Sequence, residues 1–542
     1  MTEKDTSFSG DLTKIDDEAR ARGISREELL RRAAAAGIVA GVGGLSAPLE
    51  ALAAPAAAPK RGGTFRVGVS GGSAKDVIDG QHIVTRPDQA RIVTAWEGLV
   101  RFNPQDRVVV DSLAQEVTPT RADLWTVRLR KGIEFHNGKT LTADDVIYSF
   151  QRMLNPKLGL FGGAAFKGSV DAKRIKKLDK YTLRMHLLRK DANLLDEMAQ
   201  YVANIVPVGY SRWPAKQIGT GPYMLQSFTP GQRSVHVRNP NYWRHGQPYF
   251  DQVIVIDFTD DTARVNALLS GQVDAITDVP PAQVPVVNGR SNAHVLESPS
   301  ASWTPICMRV DSPPFNDVRV RQAMRLIADR PQIVKQALSG HGRIGNDLYA
   351  PFDLDYDHKL PQRHQDIAKA KSLLKAAGHS NLSIDLQSTN GTLGQNEGAQ
   401  VFAQQAKAAG VNINVKQLDS GAFYGDQYLK WTFSTDFWGT RNYLSQVSAG
   451  SLPSSPFNET HWANPRFIKL YNEALATVDA KKRRELMFEM QKMEYDSGGY
   501  VIWGFSSLLD GYSSKVKGLA AGDKGVLPLN GFGHGYRTIW FA

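Results

Sequence analysis

Between Leu124 and Leu154 the chain changes its hydrophobic period within one short segment. Trp125, Val127 and Leu129 alternate with Thr126, Arg128 and Arg130, the period-two pattern of a strand with one buried face. Lys131-Gly132 interrupts it, Ile133 and Phe135 form a second short run, and Asn137-Gly138 supplies the positive-φ pair that a tight turn needs without steric cost. Thr142 can accept from the free N–H groups of a first helical turn, and Asp144 and Asp145 complement the positive end of its dipole. Val146, Phe150 and Met153 then fall on one face. The segment predicts a strand, a turn and a capped helix.

The same reading extends along the chain. Lys60 to Val69 opens with a strand, Ile92 to Leu99 reads as a helix, and Val253 to Ile256 reads as a strand followed by a helix that carries Ala263, Val265, Leu268 and Leu269 as far as Gly271. Pro314 to Ala323 predicts an Asn/Asp-capped helix with Val320, Met324 and Ile327 inward, and Asp329-Arg330-Pro331 starts another. Leu382, Ile384 and Leu386 alternate as a strand, a helix runs to about Ala409, and Gly410 caps it before Val411, Ile413 and Val415. That strand-helix-strand order predicts a mostly parallel sheet. Two helices follow, from about Pro465 and about Lys481.

Leu129-Arg130, Gly132, Phe135, Asn137-Gly138 and Thr142-Ala143-Asp144-Asp145-Val146 together resemble the extracytoplasmic solute-binding proteins of ABC importers that carry peptides, nickel and related ligands. Gly219-Thr220-Gly221-Pro222-Tyr223, Asn239-Pro240-Asn241-Tyr242-Trp243 and the run Pro314 to Arg330 match the same family. The resemblance implies an α/β, two-lobed periplasmic-binding-protein fold, with an extra domain inserted in the first lobe and mixed sheets flanked by helices. It implies an export leader over 1–58, the first lobe over 59–100, the inserted domain over 101–217, the first lobe again over 218–302, the second lobe over 303–505, and a return to the first lobe over 506–542. The expected function is capture of a peptide or peptide-like solute outside the cytoplasmic membrane and delivery to an ABC permease and ATPase, by a monomer without catalysis or cofactor. A secreted peptide or ester hydrolase, and a ligand sensor uncoupled from import, remain as alternatives.

Composition narrows the picture. A length of 542 residues exceeds one ordinary core, and 42% hydrophobic with 22% charged residues suits a soluble globular protein. No run after the leader is long and apolar enough for a membrane span. The formal charge of +11 is spread along the chain rather than gathered in a stripe, which argues against nucleic acid as a partner. The single cysteine, Cys307, can form neither an internal disulfide nor a CxxC site, and its apolar surroundings predict a buried small hydrophobe.

The N-terminal region is charged to about Arg32, then Ala/Gly-rich, and ends in small residues, the order of an export signal cleaved between Ala53 and Ala58. Ser25 to Arg31 resembles the twin-arginine pattern with Glu27 in place of the second Arg, so Tat is only slightly favoured over Sec. The absence of a nearby Cys excludes a lipoprotein anchor, and a periplasmic location is expected. Gly68-Val69-Ser70-Gly71-Gly72 formally fits a nucleophile elbow, but no helix follows the Ser; Ser372 to Lys375 fits S-x-x-K within a plain helical run. The histidines do not fall at metal-ligand spacing, so no metal site is expected.

In peptide-binding members of the family, a Trp followed three residues later by Asp sits in the cleft, and the Asp pairs with the ligand's ammonium. Here Trp438 fits, Gly439 follows it, and Arg441 occupies the Asp position. A guanidinium there reverses the charge preference and offers a planar fork for a carboxylate. The expected cargo is thus a modified peptide, an opine-like conjugate or an acidic solute; the alternative is an Arg441 that is paired within the protein or faces solvent. Trp303 and Trp503, at the inferred crossings between lobes, are further cleft candidates.

Overall fold

The computed structural model describes residues 59–103, 108–163, 166–210, 218–519, 529 and 536–542. The expected leader and its cleavage region lie outside the described residues. Lys60–Ala542 forms one compact unit.

Among the described residues, the largest sheet has eight strands. Its path runs Ala293–Trp303, Gly504–Ser513, Ala275–Ile276, Thr64–Ser70, Gln252–Phe258, Arg233–Arg238 and Tyr223–Thr229, with Gly342–Ile344 paired to Gly504–Ser513. Thr64–Ser70 lies parallel to Gln252–Phe258 and buries Phe65, Val67 and Val69, which anchors the start of the described chain in the core. A second sheet of five strands is ordered Val411–Leu418, Leu382–Thr389, Phe433–Thr435, Ile306–Met308 and Tyr500–Val501. Leu382–Thr389 and Val411–Leu418 pair in parallel, with Gln395–Ala406 between them in the chain, as the strand-helix-strand pattern predicts. Val320, Met324 and Ile327 of the helix Val318–Ile327 are buried against this sheet's core.

The chain passes from one sheet to the other at Trp303-Thr304-Pro305 and back at Ile502-Trp503. These passages are neighbours: Trp303 pairs with Phe505 on one side, and Ile306 pairs with Val501 on the other. Two adjacent strands therefore join the two halves. The α/β two-lobed architecture expected from the sequence is the one observed.

A separate four-stranded sheet, Ala114–Arg121, Leu124–Leu129, Thr182–His186 and Ile175–Lys177, carries the segment with the double period. Trp125, Val127 and Leu129 pack with Val146, Phe150 and Met153 of the helix Ala143–Met153. Asp145 takes the N–H and the hydroxyl of Thr142, each at 3.0 Å, closing the first turn. At the turn, only Gly138 of the Asn137-Gly138 pair is left-handed, with φ of 80°. Ile133 and Phe135 form no strand; the turn is closed by the single bridge between Glu134 and Thr140.

One helix departs from the expected bounds. It spans Arg86–Ala95 rather than Ile92 to Leu99, because Thr85 and Asp88 form a capping box, Pro87 sits in the first turn, and the chain turns extended at Trp96. Among the described residues no helix is long and apolar enough to cross a membrane. Cys307 is free and buried.

Candidate functional site

A cavity of about 420 Å³ lies between the lobes. Arg86, Gln89 and Tyr201 reach it from the first lobe and the inserted sheet's side, and the segment Asp436 to Asn442 forms the opposite wall.

The first wall is set by the N-terminal turn of Arg86–Ala95. Asp88 accepts the N–H groups of Val84 at 2.9 Å and Val77 at 3.2 Å, and Arg91, fully buried, bonds Asp88 at 3.0 Å, Asp76 at 3.2 Å and also Asp257. This network fixes the helix on the sheet, so that Arg86 at its tip pairs with Asp278 beside the cavity. The neighbouring Asp278 holds the Arg86 guanidinium above its ordinary range. Ser70 donates to the same Asp278 at 2.7 Å at the end of its strand, which leaves its hydroxyl engaged rather than poised beside a base.

The opposite wall is bonded to the crossing strand. The N–H of Trp303 donates to the carbonyl of Trp438 at 3.0 Å, the N–H of Trp438 donates back at 2.8 Å, and Ala301 N–H donates to Thr440 Oγ1 at 3.1 Å. Their indoles stack at 6.1 Å, and the stack continues through Tyr349 to Tyr443. Gly450 makes room for it, since a Cβ there would stand 2.8 Å from the Trp438 ring. The buried face of Trp438 thus belongs to an aromatic column, and its remaining edge lines the cavity.

Arg441 is exposed at this wall. Its guanidinium lies 5.9 Å from the centre of the Trp438 ring, and among the described residues it has no hydrogen bond and no ion pair. Gly439 is also exposed, with open space where a side chain would be. The structure therefore brings Trp438, Gly439 and Arg441 together on one wall, with Trp303 stacked behind them. Trp503 does not meet the expectation of a cleft residue. It is 2% exposed and sits in the second lobe's core, where Gly398 leaves space for its ring.

Asp436 is the acid on the cavity wall. Its Oδ1 accepts the N–H of Phe437 at 2.8 Å and its Oδ2 accepts the hydroxyl of Tyr428 at 3.0 Å. Burial lifts this carboxyl to about 6 and pushes neighbouring Glu459 well above its usual range, with Asp436 adding to the push on Glu459.

At one side of the cavity the lobes touch. Asn193 donates to Ser445 Oγ at 2.8 Å, Ser445 donates to Glu197 Oε1 at 2.9 Å, Asn442 donates to Asp196, and Ala192 N–H donates to Leu475 O at 2.8 Å. Burial raises Glu197 to about 7 and Tyr201 to about 12, although the charge of Arg441 pulls both down.

Sequence reasoning did not find Arg86, Tyr201, Asp436 or the rings of Phe161, Phe437 and Phe457, which also line the cavity. Phe437 adjoins Trp438; the others come from segments with no local pattern to mark them. His136, placed by its motif in a turn, bridges Gly219 N–H at 3.3 Å and Gly221 O at 3.0 Å. Among the described residues no three His, Cys, Asp or Glu gather as a metal site.

Residues 108–455 match the model of the bacterial extracellular solute-binding proteins, family 5, middle region. The dipeptide-binding protein of Escherichia coli (strain K12) is 26% identical over 468 residues, covering 79% of this chain and 87% of that protein. Heme-binding protein A of Haemophilus influenzae is 25% identical over 447 residues, covering 74% and 81% respectively. The solved structure of the binding protein AgaA from A. tumefacien R10, in complex with agropinic acid, superposes with a TM-score of 0.71 at 21% identity, covering 89% of this chain and 99% of that one. The chain belongs to family 5 of the bacterial extracellular solute-binding proteins.

Proposed function

We propose that the protein is the substrate-binding component of an ABC importer, and that it captures a small peptide-like solute bearing a carboxylate. The lobes close on the ligand, Arg441 takes the carboxylate, and the solute passes unaltered to the permease. A monomer, exported through the leader over 1–58 to the periplasm, performs this role. The observation that carries the reading is Arg441 itself: a guanidinium on the cavity wall, beside Trp438, with no acid bonded to it among the described residues. A planar cation with no acid bonded to it, lining a cavity, is suited to a carboxylate rather than an ammonium. Among the relatives, one is named for dipeptides and one was solved with agropinic acid, and both names denote ligands that carry an acid group.

The test begins with mass spectrometry of the small molecule that co-purifies with the mature protein. Calorimetry then compares its affinity for the natural chain and for Arg441→Asp. Losing the cation that faces the carboxylate and gaining a like charge should weaken binding by roughly a hundredfold, about 3 kcal/mol. Unchanged affinity removes Arg441 from the site.

A further inference from the structure

Three phenylalanine rings stand unusually open in the cavity. Phe161 is 54% exposed, Phe437 46% and Phe457 43%, and they come from three separate segments that converge on this space. Single exposed apolar side chains are ordinary on any surface; several that face one another across a cavity form a patch that something covers. Two of the rings are braced on their inner side: Phe457 meets the Trp438 ring edge-on at 6.0 Å, and Phe437 meets Tyr424 edge-on at 6.2 Å. The outer faces remain for a ligand to fill.

The charges around these rings are one-sided. Arg441 is unpaired and Arg86 is already paired with Asp278. Asp436, the acid that lines the cavity, has each carboxylate oxygen engaged by Tyr428 or by the Phe437 N–H. Asp436 is itself buried, so among the described residues that line the cavity no exposed carboxylate faces the space where an ammonium would sit.

Resting on the reading of Arg441 as a carboxylate site, we infer that the ligand is an aromatic anion with its amine blocked: a flat apolar group held among Phe161, Phe437 and Phe457, and a carboxylate on Arg441. The phenylalanines then decide which anions are accepted, while Arg441 decides that an anion is accepted at all.

The experiment uses the mature protein and three matched probes, followed by calorimetry. N-acetyl-Phe-Ala carries the ring and the carboxylate, N-acetyl-Gly-Gly lacks the ring, and free Phe-Ala restores the ammonium. Burying one aromatic side chain is worth a factor of about ten or more, so N-acetyl-Phe-Ala should bind at least about tenfold tighter than N-acetyl-Gly-Gly, and tighter than free Phe-Ala, whose ammonium would stand in a cavity with no exposed acid to receive it. Phe457→Ser should erase most of that advantage while leaving N-acetyl-Gly-Gly and the melting temperature unmoved, a pattern that general damage to the fold would not give. If N-acetyl-Gly-Gly binds as tightly as N-acetyl-Phe-Ala, the aromatic inference falls and the Arg441 reading stands. If free Phe-Ala binds as tightly, the blocked amine is refuted; if in addition Arg441→Asp leaves N-acetyl-Phe-Ala affinity unchanged, the Arg441 reading falls with it. If no probe binds at millimolar concentration, both are overturned.

Discussion

Glu197 makes closure of the cleft a proton-dependent event. Its carboxylate receives the Ser445 hydroxyl across the lobe contact, in the company of Asp191, which pushes its pKa up, and of Arg441 and Arg189, which pull it down. Burial dominates and lifts it from an ordinary 4.5 to about 7. In an opened cleft the same group loses Ser445 and returns to water. A raised carboxyl binds its proton more tightly in the closed form, so its contribution to closure is fully present below about pH 4.5 and is lost as pH rises through 7. At about 1.4 kcal/mol per unit, the ceiling is about 3 kcal/mol, reduced because Glu197 is only partly shielded from solvent. Small-angle scattering of the ligand-free mature protein should show expansion between about pH 5 and pH 8. Glu197→Gln, which keeps an oxygen for Ser445 but cannot ionise, should remain compact throughout. Equal expansion in the Gln variant, at the same midpoint, would refute the assignment. Other carboxyls raised by burial, among them Asp191, Asp257, Asp436 and Glu494, are common to both proteins, so their titration cancels in the comparison.

Three further outcomes follow from packing and charge. Arg91→Met leaves Asp76, Asp88 and Asp257 buried around no cation, and should cost about 3–5 kcal/mol in denaturant unfolding; a loss under about 1 kcal/mol would show that the network does not hold the first wall of the cavity. Gly439→Leu places a side chain where nothing else stands, so stability should stay within about 0.5 kcal/mol while the co-purified ligand binds at least about tenfold more weakly by calorimetry. Trp503→Ala should lower stability by about 3–5 kcal/mol and leave the ligand affinity of the folded fraction unchanged; weakened binding at full folding would return Trp503 to the cleft.

What was legible in the sequence was what is specified locally. The strand Leu124–Leu129 and the helix Ala143–Met153 announce themselves because their buried positions are apolar and their periods are unbroken. The helix Arg86–Ala95 hides its start for the opposite reason: its inward positions include Asp88, Arg91 and Thr94, a charged core whose members are satisfied only by residues as distant as Asp257. Hydrophobic periodicity cannot see such a face. The same limit applies at the cavity. The run from Phe437 to Arg441 could be aligned to a motif, whereas Phe457 meets that run only once the second lobe has folded, and Phe161 only once both lobes have.

Trp503 shows where position misleads. It does lie at a crossing between sheets, yet its ring turns inward, and the mark of that choice is in another segment: Gly398 interrupts the helix Gln395–Ala406, and a Cβ there would come 2.8 Å from the indole. A helix weakened by glycine indicates a close neighbour rather than a flexible joint. Trp303, at the other crossing, has a different fate because its backbone bonds directly to Trp438. The wall that meets the ligand is therefore continuous with one of the two strands on which the lobes turn. Under the proposed function, pressure on Trp438 from a bound ring and rotation about Trp303 would act on the same pair of backbone hydrogen bonds, which would couple occupation of the cavity to closure of the cleft.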